Sequence, residues 1–204
     1  MIILCLTGSC LAQSYYEKQD SAINQDINRL TQKGVDTICV YKSYCVGCLL
    51  VLYSSHDTIC RRQPYANETY FLWKHNSVTA FTKKDYCFTY DTIAINANAL
   101  WSFYSSAKNQ ISSKKIKDAE IRVIEHGKKT TNYVMVDHDE HEDIFLAIGG
   151  VYKKLFLTEF PFEKIVDHHW NINYTNNWNT DTKKFQVLLD ELIHINAGKL
   201  KIVK

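Results

Sequence analysis

Two glycines, Gly149-Gly150, separate β-rich runs at residues 143–148 and 151–157. A two-residue link can join only antiparallel neighbours, because parallel strands need a crossover of a dozen or more residues. Residues 69–74 and 78–83 repeat the pattern around His75-Asn76-Ser77, and 86–90 (YCFTY) reads as a further alternating strand. Two hairpins with short links argue against a doubly wound parallel sheet and for antiparallel meanders.

Helical spacing punctuates these runs. Tyr16, Ile23, Ile27 and Leu30 fall on one face, and Gly34 is placed to end that helix. Residues 37–44 then turn β-rich, and 48–53 are a continuous apolar run with a turn at 54–57. Leu100, Phe103, Tyr104, Ala107 and Ile111 predict a helix over 96–112, followed by strands at 120–125 and 133–137. Phe185, Leu188, Leu189, Leu192 and Ile193 form one stripe and predict a final helix over 181–197, with Asp181 capping its start and Gly198 its end. Its wet face is expected to carry Lys183, Lys184, Gln186, Asp190 and Glu191. The fold class is therefore α+β, two antiparallel β-meanders packed with three helices. At 204 residues, 46% hydrophobic and 23% charged, the chain suits a single globular domain.

The expected organisation is a signal peptide over 1–12 and one α+β domain over 13–204. Residues 2–12 (IILCLTGSCLA) are too short to span a bilayer but suit an export signal, with Cys10 and Ala12 at the small-residue positions before a cut at Gln13. No Lys or Arg follows Met1 to supply the usual positive charge, and a buried N-terminal strand is the other use for such a run. An exported protein, periplasmic or secreted, is expected, with lipid anchoring through Cys10 as the alternative. No later segment has the length of a membrane span. Of seven cysteines, five lie between 39 and 87, and clustering in an oxidising compartment points to crosslinks among Cys45, Cys48, Cys60 and Cys87. Four cysteines allow three connectivities, and the fifth thiol stays free or pairs between chains.

Tyr44-Cys45-Val46-Gly47-Cys48, Tyr70-Phe71-Leu72-Trp73-Lys74 and Asp85-Tyr86-Cys87-Phe88 together resemble a pattern in uncharacterised secreted proteins of Bacteroidota-type bacteria. That resemblance implies export and no known activity.

Few residue patterns carry chemistry. Cys45 and Cys48 form a CxxC, but a strand-like run follows where a redox site needs a helix, and a structural zinc usually takes two close pairs. Residues 137–143 (DHDEHED) could all ligate a metal, with Asp137, His138, Asp139 and His141 the candidates, yet the flanks read as strands and the segment as a solvated hairpin tip. The adjacent His168 and His169 would point to opposite faces of a strand, and His56, His75, His126 and His194 are scattered. Phosphate loops, nucleophile elbows and zincin motifs are absent. Trp170, Tyr174 and Trp178 among five asparagines form either a sugar- or peptide-binding surface or a loop pinned by its own rings. Two glycosylation-type sequons, at Asn67 and Asn173, are no more than chance supplies.

With 24 basic and 22 acidic residues, no large basic field for nucleic acid exists. The expectation is a non-catalytic envelope or secreted binding protein without a cofactor, its partner a protein, peptide or glycan. The alternative is a metal-dependent hydrolase using residues 137–143.

Overall fold

A computed structural model describes residues 20–46, 68–85, 88–126, 128–134, 139–166 and 168–203. Helix α1 (20–32) leads into strand β1 (Thr37–Val46), then β2 (Glu68–His75), β3 (Val78–Lys84), β4 (Ile93–Ile95) and helix α2 (Asn98–Ala107). There follow β5 (Glu120–Glu125), β6 (Lys128–Tyr133), β7 (Asp139–Ile148), β8 (Val151–Thr158), β9 (Ile165–Val166), β10 (His169–Trp170), helix α3 (Tyr174–Trp178) and helix α4 (Asp181–Ala197). No helix among the described residues is long and apolar enough to cross a membrane.

The chain is a mixed α+β protein with antiparallel sheets, but the two expected meanders are not separate. The second splits: β5 and β6 form a two-stranded sheet of their own, while β7 and β8 join the first meander in one six-stranded sheet, ordered β4-β3-β2-β1-β7-β8, through a ten-residue pairing of β1 with β7 that sets Cys39 opposite Leu146 and Tyr41 opposite Ile144. β1 is consequently central and covered on both sides, so Ile38 to Lys42 are buried without interruption. A strand buried on both faces loses the clean alternation of a half-wet one. On one face Ile23, Ile27 and Leu30 of α1 pack on Ile38, Val40, Phe71 and Phe145. On the other, Leu100, Trp101 and Tyr104 of α2 and Phe185, Leu189 and Ile193 of α4 pack on Cys39, Leu72, Phe81, Ile144 and Leu146.

The turns follow their residues. Gly149 and Gly150 both adopt positive φ (58° and 78°), which glycine takes without steric cost and which a two-residue hairpin requires. Gly34 (φ 83°) closes α1. α4 spans the expected 181–197, but Thr180, not Asp181, caps it by accepting the Lys183 N–H at 3.2 Å. Gln186 is buried on this helix and Lys183 and Asp190 are half-buried, whereas Leu188 and Leu192 are only partly buried. The buried face is thus rotated relative to the expected stripe.

Three further boundaries move. The helix expected over 96–112 is confined to Asn98–Ala107, where Lys153 Nζ donates to the Lys108 and Ile111 carbonyls. Of the strand expected over 133–137, Tyr133 closes β6, which starts at Lys128 to pair with β5, Val134 lies past it, and 135–137 are outside the described residues. Residues 139–143 form the first half of β7, hydrogen-bonded between β1 and β8, rather than a hairpin tip. The expected signal segment, the apolar run 48–53 and Tyr86-Cys87 lie outside the described residues.

Candidate functional site

A cleft of about 210 Å³ opens between α1, the β2–β3 hairpin and the segment from Thr89 to Thr92. Its apolar lining comes from Leu30, Phe71 and Trp73. Phe71 belongs to the core on the α1 face, where Leu30 and Trp73 pack partly buried against it. Around them stand three cationic side chains, Arg29, Lys33 and Lys84, against one carboxylate, Asp26. Asp26 pairs with Arg29, its i+3 neighbour, and with Lys84 Nζ at 2.6 Å, so it joins helix to hairpin. Lys84 also lies 5.2 Å over the Phe71 ring. The Thr82 hydroxyl donates to the Asp91 carbonyl at 2.8 Å and anchors the far wall. An apolar lining with a net positive rim suits a ligand that has both an apolar body and a negative group.

Polar clusters flank β1 and β7 on both sheet faces. On the α1 face Lys42 is wholly buried, donating to Asp20 at 2.9 Å, with Asp143 at 3.9 Å and the Tyr44 ring 4.7 Å below its ammonium. Lys154 completes the set, at 2.7 Å from Asp20 and 3.1 Å from Asp143. Burial raises the Asp143 carboxyl above its ordinary value despite both lysines. At half-exposed Asp20 burial also pushes upward, but the contacts to Lys154 and Lys42 outweigh it and the carboxyl titrates low. Two cations and two carboxylates balance, which is what lets charge sit inside a sheet layer.

On the opposite face Gln186 Nε2 donates to Glu142 Oε1 at 3.0 Å and also to Asp190 Oδ2. The Tyr41 hydroxyl bonds in the same group of carboxylates. Burial, and then the neighbouring Asp190 charge, push Glu142 up to about 7. Burial raises Asp190 to about 6. It raises the Tyr41 phenol as well, and the two carboxylates add to that. Lys183, whose ammonium is 4.2 Å over the Phe162 ring and 4.8 Å over that of Trp178, is the cation that acts on both carboxylates, and burial lowers its own proton affinity.

The residues singled out in the sequence are dispersed. His141 is wedged edge-on between Tyr44 (5.5 Å) and Phe156 (5.1 Å), and burial lowers its pKa. Asp139 accepts the Phe160 N–H at 3.3 Å. Asp137 and His138 lie outside the described residues. His168 occupies a positive-φ turn (63°) and His169 sits in β10 of a separate two-stranded sheet. Among the described residues no group of three or more His, Cys, Asp or Glu side chains is placed to hold a metal. Cys45 is the next-to-last residue of β1, while Cys48, Cys60 and Cys87 are outside the described residues. Cys39 is a free thiol buried in the core, where burial pushes its pKa up.

The asparagine-rich segment is a staple. Asn171 Nδ2 donates to the Pro161 and Glu163 carbonyls, Asn177 Nδ2 to those of Lys117 and Pro161, and Asn173 Nδ2 to that of Asp118. Buried amides so engaged have little left with which to read a ligand. Trp170 and Trp178 remain exposed, but Trp170–Tyr174 and Tyr174–Trp178 are inclined at 72° and 54°, which presents no flat stacking platform.

No family model matches this chain, and comparisons with curated proteins and with solved structures found no match.

Sequence reasoning missed the cleft because its lining joins residues sixty positions apart. It placed Gln186 and Asp190 on the wet face of α4. A usable signal was present: Thr182, Gln186, Leu189 and Ile193 follow helical spacing, so the polar residues extend the apolar stripe.

Proposed function

We propose that this is an exported, non-catalytic binding protein whose α1–hairpin cleft takes a peptide-like anion, an aromatic or branched aliphatic side chain carrying a nearby carboxylate. The observation that supports this reading is the cleft's composition: Phe71, Trp73 and Leu30 supply apolar contact, and Lys33 adds an exposed positive charge at the rim. Lys33 is the better handle on a carboxylate, since Arg29 and Lys84 are engaged by Asp26. Export and crosslinking among Cys45, Cys48, Cys60 and Cys87 belong to the same proposal, and rest on the apolar leader and the cysteine clustering. The hydrolase alternative draws less support, because successive residues of 139–143 alternate between the two faces of the sheet instead of converging.

N-acetyl-phenylalanine and its amide are the direct probes, followed by tryptophan fluorescence. At about 0.3 kcal/mol per heavy atom a ligand of this size binds with Kd on the order of 1 mM. The acid is expected to bind more tightly than the amide, and Lys33→Glu to remove that preference. Trp73→Phe is expected to remove most of the signal. Equal binding of acid and amide, or a signal that survives in Trp73→Phe, contradicts the proposal.

A further inference from the structure

We infer that residues 200–203 are a strap that sets the position of the cleft's far wall, so that ligand binding depends on a segment that does not itself line the cleft. This deepens the cleft reading proposed above and rests on it. Past α4 the Lys199 N–H donates to the Asn196 carbonyl and the Leu200 N–H to the Ala197 carbonyl, and Leu200 packs partly buried on the α2–α4 core. The chain then lies antiparallel to residues 89–91, with Ile202 opposite Tyr90. The Val203 N–H donates to the Thr89 carbonyl at 2.9 Å, and the Asp91 N–H to the Lys201 carbonyl at 2.9 Å. The Lys201 N–H donates to Asp91 Oδ1 at 2.8 Å. Thr89, Tyr90 and Thr92 line the cleft, whereas Asp91 and residues 200–203 do not.

The strap buries little of its own. Ile202 and Val203 are 56% and 63% exposed, so directed hydrogen bonds to the wall, rather than apolar contact, hold it in place. On its other side the wall is fastened to β3. The Tyr90 N–H reaches the Lys83 carbonyl at 3.4 Å, a long bond, Thr89 bridges to Lys84, and the Thr82 hydroxyl bonds to the Tyr90 and Asp91 carbonyls. The wall is therefore a short ribbon between β3 and the strap, and the strap ties the cleft to the end of α4. Segments with exposed hydrogen bonds and few buried apolar contacts are the ones that open locally. When a binding-competent arrangement is only partly populated, the apparent Kd rises by the reciprocal of that fraction.

The test compares the full chain with one ending at Leu200, by amide hydrogen exchange without ligand and by chemical-shift titration with N-acetyl-phenylalanine. The shortened chain keeps Leu200 and is expected to melt close to the full one. Its Tyr90 amide is expected to exchange faster, although the Lys83 acceptor is untouched, and its Kd for the probe to rise about fivefold. Asp91→Ala, which deletes the acceptor for the Lys201 N–H, is expected to show both changes. Asp91→Asn, which loses the same charge but keeps an oxygen there, is expected to behave as the unaltered chain does. These two variants decide the matter if the shortened chain fails to fold. Unchanged Tyr90 exchange in both the shortened chain and Asp91→Ala overturns the strap, and faster exchange with an unchanged Kd overturns its part in binding. If the full chain does not bind the probe, the cleft reading fails, and exchange at Tyr90 still decides whether the strap sets the wall.

Discussion

Lys42 places an ammonium at the centre of β1 with no exposed surface, and its neighbours show the cost of doing so: two carboxylates and an aromatic face are gathered around one charge. Removing one partner of such a set strands the others in low dielectric. Lys42→Met is expected to destabilise the protein by about 3–5 kcal/mol, whereas Lys154→Met, half-exposed, costs about 1 kcal/mol or less. Urea denaturation of the two variants measures the difference, and equal losses would contradict the assignment of burial. Asp20 gives the pH dependence. Its folded pKa is lowered, so its stabilising contribution is present above the unfolded value near 4 and is lost as pH falls through the folded value. Asp20→Asn is expected to lower stability at pH 7 and to flatten the acid limb below about pH 4, read from melts across pH. None of this was legible in the sequence. Lys42 stands between Tyr41 and Ser43 like any surface lysine, and its partners lie 22 and 101 positions away.

At the level of elements, the sequence was most readable where one local rule decides. Gly149-Gly150 fixed the β7–β8 hairpin, Gly34 the end of α1, and the 181–197 stripe the whole of α4. It was least readable where pairing with a distant strand decides. β6 begins at Lys128 although KKTTNY has little apolar character, because β5 supplies its ladder. The orientation of α4 is tested by substitution. Leu189→Ala, fully buried, is expected to cost about 2–5 kcal/mol through lost burial and a cavity, and Leu192→Ala distinctly less. Thr180→Ala is expected to cost about 1 kcal/mol by freeing the Lys183 N–H, and exposed Lys184→Ala almost nothing. Thermal melts of the four variants rank them, and a Leu192 loss larger than that of Leu189 would reverse the helix face.

For the molecule as a whole, the β1–β7 pairing joins the first meander to the β7–β8 hairpin in one sheet with helices on both faces, and this creates both buried polar clusters. Alternation along β1 sends Lys42 to the α1 face and Tyr41 to the α4 face, while β7 sends Asp143 and Glu142 the same two ways. The cleft lies elsewhere on that sheet, where α1 meets β2 and β3 beside Trp73. Hydrophobic pattern specifies which residues are apolar, but it does not specify which strand of a second hairpin joins which strand of the first. The α+β class was therefore within reach of the sequence, and the cleft was not. Backbone amide chemical-shift mapping of the isotopically labelled chain, titrated with N-acetyl-phenylalanine, tests the binding account most directly. The expected perturbations are confined to Asp26–Lys33, Phe71–Trp73, Thr82–Lys84 and Thr89–Thr92. Perturbations scattered over the surface, or centred on α3 with those segments unchanged, would contradict it.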